Sequence, residues 1–303
     1  MANDPLLTIV VPFFNSANTL ERTLRSLQLI DRCDRDRVQI ICIDDGSTDR
    51  SAFIAAQCRV EAPEFLWEVA RQENRGVSSA RNHAIHLAAG RWILFLDADD
   101  ELTMNPLTCL LATKDATTAV TFPVLRRFGR TNREKLFRAP KLSGKTFGDI
   151  LSSKVPLHIC AVIFKKRLIG TPFTETLPYL EDWKFWWDNQ AVFSNTESAK
   201  SRYPLAIVHV HDRNRTSDFK ATGVAREFLA QQILREEQLS RKQRNNWTIQ
   251  RRIGLLLQGK SMSPLSGLRF PCSCSLSAKF YIYWLFKGRI SVVHPYRRGG
   301  NDF

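Results

Sequence analysis

The chain predicts an α/β protein: a doubly wound, Rossmann-like mixed sheet with a mostly helical, basic extension after it. Three observations carry this. Apolar runs of strand length alternate with helical stretches through residue 100. Two of those runs end abruptly in carboxylates, at Asp44-Asp45 and at Asp97, Asp99 and Asp100. With 303 residues, 44% of them hydrophobic, the chain can build one large domain or a domain with a substantial appendage.

The elements follow in order. Leu6–Val11 (LLTIVV) reads as a buried strand closed by Pro12, with Phe13-Phe14-Asn15-Ser16 as the loop. Ser16 or Asn18 can cap a helix whose apolar positions Leu20, Leu24 and Leu27 recur at three- and four-residue spacing. Val38–Ile43 is the second strand. Gly46 then permits a tight turn, and Ser47, Thr48 or Asp49 offers a cap to a helix from Arg50 to about Cys58. Phe65–Ala70 is a weaker third strand, and Ser78–Ala89 an alanine-rich helix that Gly90 would end as a C′ glycine. Trp92–Leu96 is a continuous apolar run, the pattern of a strand covered on both faces.

In an open parallel sheet, ligands sit outside the carboxyl ends of the strands. Carboxylates bunched there repel one another unless a cation or several donors hold them. An isolated Asp-x-Asp is most simply a solvated, helix-capping turn. Directly after a buried strand it is instead a rigid set of hard oxygen ligands, suited to Mg²⁺ or Mn²⁺ carrying a diphosphate. Asp45 could accept from a base N–H or cap a turn. Arg81, one turn into its helix, could reach a diphosphate or make a surface salt bridge.

Four blocks, LLTIVVPFFNSANTLERTLRSL, IICIDDGSTDRS, QENRGVSSARNHAIHLAAGRWILFLDADDEL and LEDWKFW, occur in that order and span about residues 6–215 with the stretches between them. Together they resemble the family 2 glycosyltransferases, inverting enzymes of the GT-A fold. The resemblance implies that residues 1–220 form the catalytic domain and that Pro12, Phe14 and Asp45 line the base and ribose of a nucleotide. Asn15, in the same loop, and Arg81 count with them as donor-binding residues. Asp97-Ala98-Asp99 is similar to the family's Asp-x-Asp motif, which implies contact with ribose, diphosphate and a divalent metal, Asp99 being the direct ligand. Asp182 resembles the catalytic base, because an inverting displacement needs the acceptor hydroxyl deprotonated as it attacks. Phe14 departs from the tyrosine common at that position, keeping a ring to stack but no hydroxyl.

Beyond the acids, Ala119–Val124 and Ile159–Phe164 read as strands, with the basic stretch 126–145 between them an exposed loop or hairpin; the resemblance implies that the acceptor side of the pocket lies here. Glu181 and Asp182 open a helix whose first turn favours acids. Tyr203–His211 is another strand, carrying His209 and His211; His211 is a candidate metal or diphosphate contact beside the more ordinary structural reading. Arg213 and Arg215 follow in a polar loop, which the resemblance implies could be a flexible cover over the diphosphate.

Residues 221–303 carry 14 Lys/Arg against 4 Asp/Glu, a net +10 that leaves +4 of the total +14 to the first 220 residues. A basic tail on a near-balanced domain suggests an anionic neighbour, phospholipid or nucleic acid. After a break at Ser261–Gly267, the aromatics and cations of Lys279–Val293 suit a membrane interface or a helical subdomain packed on the core. Seven cysteines in apolar contexts read as reduced thiols, Cys272-Ser273-Cys274 lacks zinc-site spacing, and neither a signal peptide nor a run of about 20 apolar residues is present, so the expected location is the cytoplasm, with contact to the inner face of the plasma membrane.

The leading function is thus transfer of a sugar from a nucleotide donor, UDP-linked, to a glycan or lipid-linked acceptor in cell-surface polysaccharide synthesis, with Mn²⁺ or Mg²⁺ as cofactor. The alternatives are a nucleic-acid-binding protein or a non-catalytic scaffold using the basic tail. The first leaves the strand-end acids unexplained and the second leaves Asp97, Asp99 and Asp182 without a task, so no nucleic-acid partner is expected.

Overall fold

Strands and helices alternate from the first described residues of this computed structural model, which describes residues 4–258 except 130, 132, 141, 143–156, 212–217 and 237. In chain order the strands are β1 (Leu7–Phe13), β2 (Val38–Asp44), β3 (Leu66–Arg71), β4 (Trp92–Phe95), β5 (Glu101–Leu102), β6 (Ala119–Thr121), β7 (Val124–Phe128), β8 (Arg133–Phe137), β9 (Val162–Lys165), β10 (Thr196–Ser198) and β11 (Ala206–Val210). The α-helices are α1 (Leu20–Ser26), α2 (Ser51–Glu61), α3 (Val77–Leu87), α4 (Leu107–Leu111), α5 (Glu181–Asp188), α6 (Phe219–Leu234) and α7 (Arg241–Leu257).

Seven strands form a mixed sheet in the order β10-β6-β9-β4-β1-β2-β3. β3, β2, β1 and β4 are parallel, in register Leu7↔Val38, Gln39↔Leu66 and Leu7↔Trp92. β9 runs antiparallel to both β4 and β6. The chain winds from β1 outward through β2 and β3, then returns to place β4 on the other side of β1. The C-terminal ends of β1 and β4 therefore flank the point where strand order reverses, the crevice such sheets use for ligands. β1 and β4 are buried throughout, as their unbroken apolar runs require.

A second sheet, β5-β11-β7-β8, stands where the sequence suggested one strand and a loop or hairpin. The run AVTFPV is not a single strand: β6 ends at Thr121, and the chain passes Pro123, whose carbonyl accepts the Leu205 N–H, into β7 of the other sheet. The expected hairpin is β7–β8, antiparallel with Val124 opposite Phe137.

Two local readings are corrected. Pro12 does not close β1, which continues to Phe13 with Pro12 beside Ile43. Val10 turns its carbonyl toward β4, to Leu96 N–H, while Phe13 faces β2. By alternation Pro12 faces β4's side, beyond the last paired residue of that strand, so its missing N–H breaks no ladder bond. Gly90 is not a left-handed cap; the positive-φ glycines described are Gly46 (φ 81°) and Gly76 (φ 91°). Its role is close approach, since a Cβ there would lie 2.5 Å from Thr8 N and 2.8 Å from Leu7 C.

Helix capping follows expectation at one helix and departs from it at another. Of the candidates for α2 it is Asp49 that gives N-terminal support, its Oδ1 accepting from Ser51 N at 2.9 Å. α1 has no side-chain cap; the Ser16 carbonyl accepts from Thr19 and Leu20 N–H instead.

Among the described residues no helix is long and apolar enough to cross a membrane, and Cys33, Cys42, Cys58, Cys109 and Cys160 are free thiols. Arg213, Arg215, Ser261–Gly267, Cys272, Cys274 and Lys279–Val293 lie outside the described residues. α6 and α7 form a hairpin in which Gly223 and Gly254 meet backbone to backbone: a Cβ on Gly254 would sit 2.7 Å from Gly223 O.

Gly90→Ala should be destabilising by about 1–3 kcal/mol, the usual range for overpacking. Urea unfolding checks this: the midpoint falls while the slope stays unchanged, and an unaltered midpoint contradicts the close-approach role.

Candidate active site

The loops after β1 and β2 are pinned to each other. Asn15, held at φ 47°, accepts the Thr48 N–H at 2.8 Å through its Oδ1 and donates its own N–H to Ser47 Oγ at 3.0 Å. Pro12 is buried beneath this loop, whereas Phe14 stands 45% exposed, a ring free to stack on a planar ligand. Asp45, also buried, accepts from Gln72 Nε2 and Arg75 N, both at 2.9 Å, and from Gly76 N at 2.8 Å. The positive φ of Gly76 lets two successive N–H groups turn toward one carboxylate, tying the β3–α3 loop to the end of β2.

α3 carries the link to the second group of acids. Arg81 is buried and donates from Nη2 to Asp97 Oδ1 at 2.7 Å and from Nη1 to Glu181 Oε1 at 3.2 Å. Its guanidinium carbon lies 5.3 Å from the centroid of Phe173, which stacks on Phe185 at 4.0 Å. It is therefore an interior clamp between the turn after β4 and the start of α5, not a surface salt bridge. Both acids hold its pKa above the ordinary value against the desolvation that opposes charge. The neighbouring Asn82 fixes the chain before α5 by pairing with both the N–H (2.7 Å) and the carbonyl (2.9 Å) of Phe173.

The turn after β4 spreads its carboxylates by burial. Asp97 keeps a side-chain exposure of 41% despite its bond to Arg81. Asp99 is less open and meets His211 Nε2 at 3.1 Å through Oδ2; burial first, then the charge of Asp97, raises its pKa. Asp100 is buried and accepts the His209 N–H at 3.1 Å, and burial pushes its carboxyl well above the usual range.

Asp182, in the first turn of α5, is half-buried and accepts the Trp183 N–H at 2.9 Å. Desolvation, then the adjacent Glu181, raises its pKa to about 7, against the opposing pull of Arg81. The structure thus brings Asp97, Asp99, Arg81, Asp182 and His211 to one edge. Pro12, Phe14, Asn15 and Asp45 lie at the neighbouring strand ends, joined to that edge through the loop that leads into α3.

Among the described residues no three His, Cys, Asp or Glu side chains are already gathered into an ion cage. The donor chemistry nonetheless suits a hard divalent ion: Asp99 and His211 present an oxygen and a nitrogen side by side, and Asp97 adds a partly exposed carboxylate. Such a partial set fits an ion that completes its shell with diphosphate and water oxygens.

Residues 8–168, just over half of the chain, match Glycosyl transferase family 2. The chain belongs to that family. The chain is also similar to the minor teichoic acid biosynthesis protein GgaB of Bacillus subtilis, 30% identical over 58% of this chain. This chain spans only 20% of that relative's length. A PGL/p-HBAD biosynthesis glycosyltransferase of Mycobacterium bovis is 28% identical over 74% of this chain and 83% of its own. Among solved structures, S. aureus TarS 1–349 in complex with UDP-GlcNAc superposes with a TM-score of 0.62 at 17% identity, covering 82% of this chain and 72% of that one. A mannosyltransferase from Pyrobaculum calidifontis in complex with GDP-Man and Mn²⁺ gives 0.61 at 15% identity, covering 94% and 81%. At such identities these structures establish the GT-A fold.

Within this family 2 site, the sequence reading missed a second junction. Glu101 accepts from His209 Nε2 at 2.6 Å and pairs with Arg22 Nε at 3.1 Å, while Arg22 Nη2 donates to the Asp99 carbonyl at 2.9 Å. Glu101 sits next to the acidic turn, but Arg22 and His209 come from 79 and 108 positions away, and no local pattern announces such a meeting.

Arg81→Met leaves Glu181 buried without its cation, so it should cost about 3–5 kcal/mol, and adding Glu181→Gln should recover part of that loss. Chemical denaturation of the single and double variants reads the coupling. Asp182 gives an opposite signature. Its folded-state pKa of about 7 lies above the ordinary 3.8 of an aspartate, so the folded state binds the extra proton and stability falls as pH rises from about 4 to about 7. Asp182→Asn should therefore match the parent near pH 4 and exceed it above pH 7, by on the order of 1–3 kcal/mol after allowing for partial exposure. Thermal melts at pH 4.5 and 8 decide it.

Proposed function

We propose that this protein is an inverting glycosyltransferase that moves a sugar from a nucleotide donor, UDP-linked, to a glycan or lipid-linked acceptor in cell-surface polysaccharide synthesis. The observation that carries the reading is the Arg81 clamp, which fixes Asp97 on the β4 turn and Glu181 beside Asp182 in one rigid constellation. A group that deprotonates an acceptor must stand at a set distance from the group that holds the departing diphosphate, and a buried bidentate arginine meets that requirement.

In this mechanism Phe14 stacks on the nucleotide base, Asn15 and Pro12 shape the loop beneath it, and Asp45 orders the loop leading into α3 by accepting from Gln72, Arg75 and Gly76. Asp97 and Asp99, with His211, would hold Mn²⁺ or Mg²⁺; when bound, the ion offsets negative charge on the diphosphate. Arg81 acts on the donor through Asp97. Asp182 takes the proton of the acceptor hydroxyl as that oxygen forms the new bond to the anomeric carbon and the sugar–diphosphate bond breaks. A pKa near 7 suits a general base working at neutral pH. The names of the relatives, in teichoic acid and PGL/p-HBAD biosynthesis, support a surface-glycan acceptor. The reading places the enzyme in the cytoplasm, on the membrane's inner face.

Asp182→Asn should lower kcat for transfer about 10²–10⁴-fold, the range for loss of a general base, with donor binding retained. The parent's activity should rise with pH along a limb centred near pH 7. A Mn²⁺-dependent rise in melting temperature with UDP-sugars, lost in Asp99→Ala, tests the donor side by mass action. Full turnover by Asp182→Asn, or a UDP-sugar shift that ignores Mn²⁺ and Asp99, refutes the assigned roles.

A further inference from the structure

α7 has two unlike sides. Its sequence, RKQRNNWTIQRRIGLLL, contains five Lys/Arg and no acid. At about 100° per residue, Arg241, Arg244, Arg251 and Arg252 fall within an arc of about 100°. Arg241, Arg244 and Arg251 are exposed and Arg252 half-buried. The opposite side packs inward. Trp247 is fully buried with its ring 5.4 Å from that of Trp187, and Gly254 lies against Gly223 and Glu227 of α6. Ile249 and Ile253, both half-buried, border the arginine arc on one flank.

A solvated helix face ordinarily mixes both signs, because acids spaced three or four residues from bases stabilise it. Here no such acid exists on the helix. Arg244 reaches back to the hairpin turn, donating from Nη1 to the Leu234 carbonyl at 3.0 Å and from Nη2 to the Glu236 carbonyl at 3.4 Å, which fixes that end of the stripe. The chain continues from this helix into residues 259–303, which carry seven Lys/Arg and one Asp among aromatic residues.

We infer that the arginine face of α7 docks the enzyme on an anionic lipid bilayer. Arginines spread along one face of a helix match a plane of headgroup phosphates, and the flanking isoleucines suit the apolar boundary just beneath it. The inference does not depend on sugar transfer, since none of the four arginines belongs to the acid cluster or to the loops around it.

The test uses the full 303-residue chain with vesicles of phosphatidylcholine alone and of phosphatidylcholine with phosphatidylglycerol, read by co-sedimentation. Binding should require phosphatidylglycerol and fall steeply with salt. The variant Arg251→Gln/Arg252→Gln should bind about fivefold more weakly per arginine removed, with its melting temperature and UDP-sugar hydrolysis unchanged. Adding Arg241→Gln should weaken it further in the same proportion. Equal binding to neutral vesicles, or variant binding equal to the parent's, overturns the proposal. So does salt-sensitive binding of duplex DNA or RNA without binding to the anionic vesicles, which would make the stripe a nucleic-acid surface.

Discussion

One buried guanidinium holds the site together. Arg81 lies between Asp97 and Glu181, buried together with Glu181 while Asp97 stays partly open to solvent. Burying that cation is tolerable only because two carboxylates and the face of Phe173 replace water around it. A lysine could not do the same: its single ammonium cannot span two carboxylates on separate elements with planar, directed donors. The electrostatics of Asp182 follow from the clamp. Glu181 and burial push its proton on, Arg81 pulls it off, and the balance falls near neutrality.

The other half of the site is held by backbone rather than by charge pairs. Gly46 and Gly76 adopt conformations that residues with a Cβ avoid, and each sits where a strand end turns toward the crevice. Asp45 and Asn15 then fasten three loops through hydrogen bonds to main-chain N–H groups. Because those N–H groups are already satisfied, the loops can stay ordered at a solvent-facing edge, leaving Phe14 exposed there.

How much of this was legible in the sequence depended on the range of the interaction. β1, β2 and β4 are covered on both faces, so their apolar runs are continuous and easily read. The acids ending β2 and β4 were equally plain. The second sheet was not. β7 and β11 are buried mainly at their first residue and only half-covered afterwards, so neither offers a long apolar run, and Pro123 hides a change of sheet inside one apolar stretch. Burial of Arg81 could not be read either, since its two partners arrive from positions 97 and 181. Gly90 shows the same limit on a smaller scale: its place after a helix suggested a cap, yet the constraint is the backbone of β1, 82 positions away.

The helical extension proves to be part of what shapes the site. α5 has eight residues, too few to be stable alone, and must be fixed by its neighbours. On one side Phe185 and Trp186 enter the core beside Phe95, Phe164 and Phe173. On the other, Trp187 meets Trp247 of α7 and donates from Nε1 to Glu236 at 2.9 Å, while Arg226 of α6 lies 4.9 Å from the ring of Trp183. Asp182 is thus carried by a helix gripped between the sheet and the hairpin. The outer side of that hairpin bears the arginine stripe, so the helix inferred to meet a charged surface packs, through Trp247 against Trp187, on the element that carries Asp182.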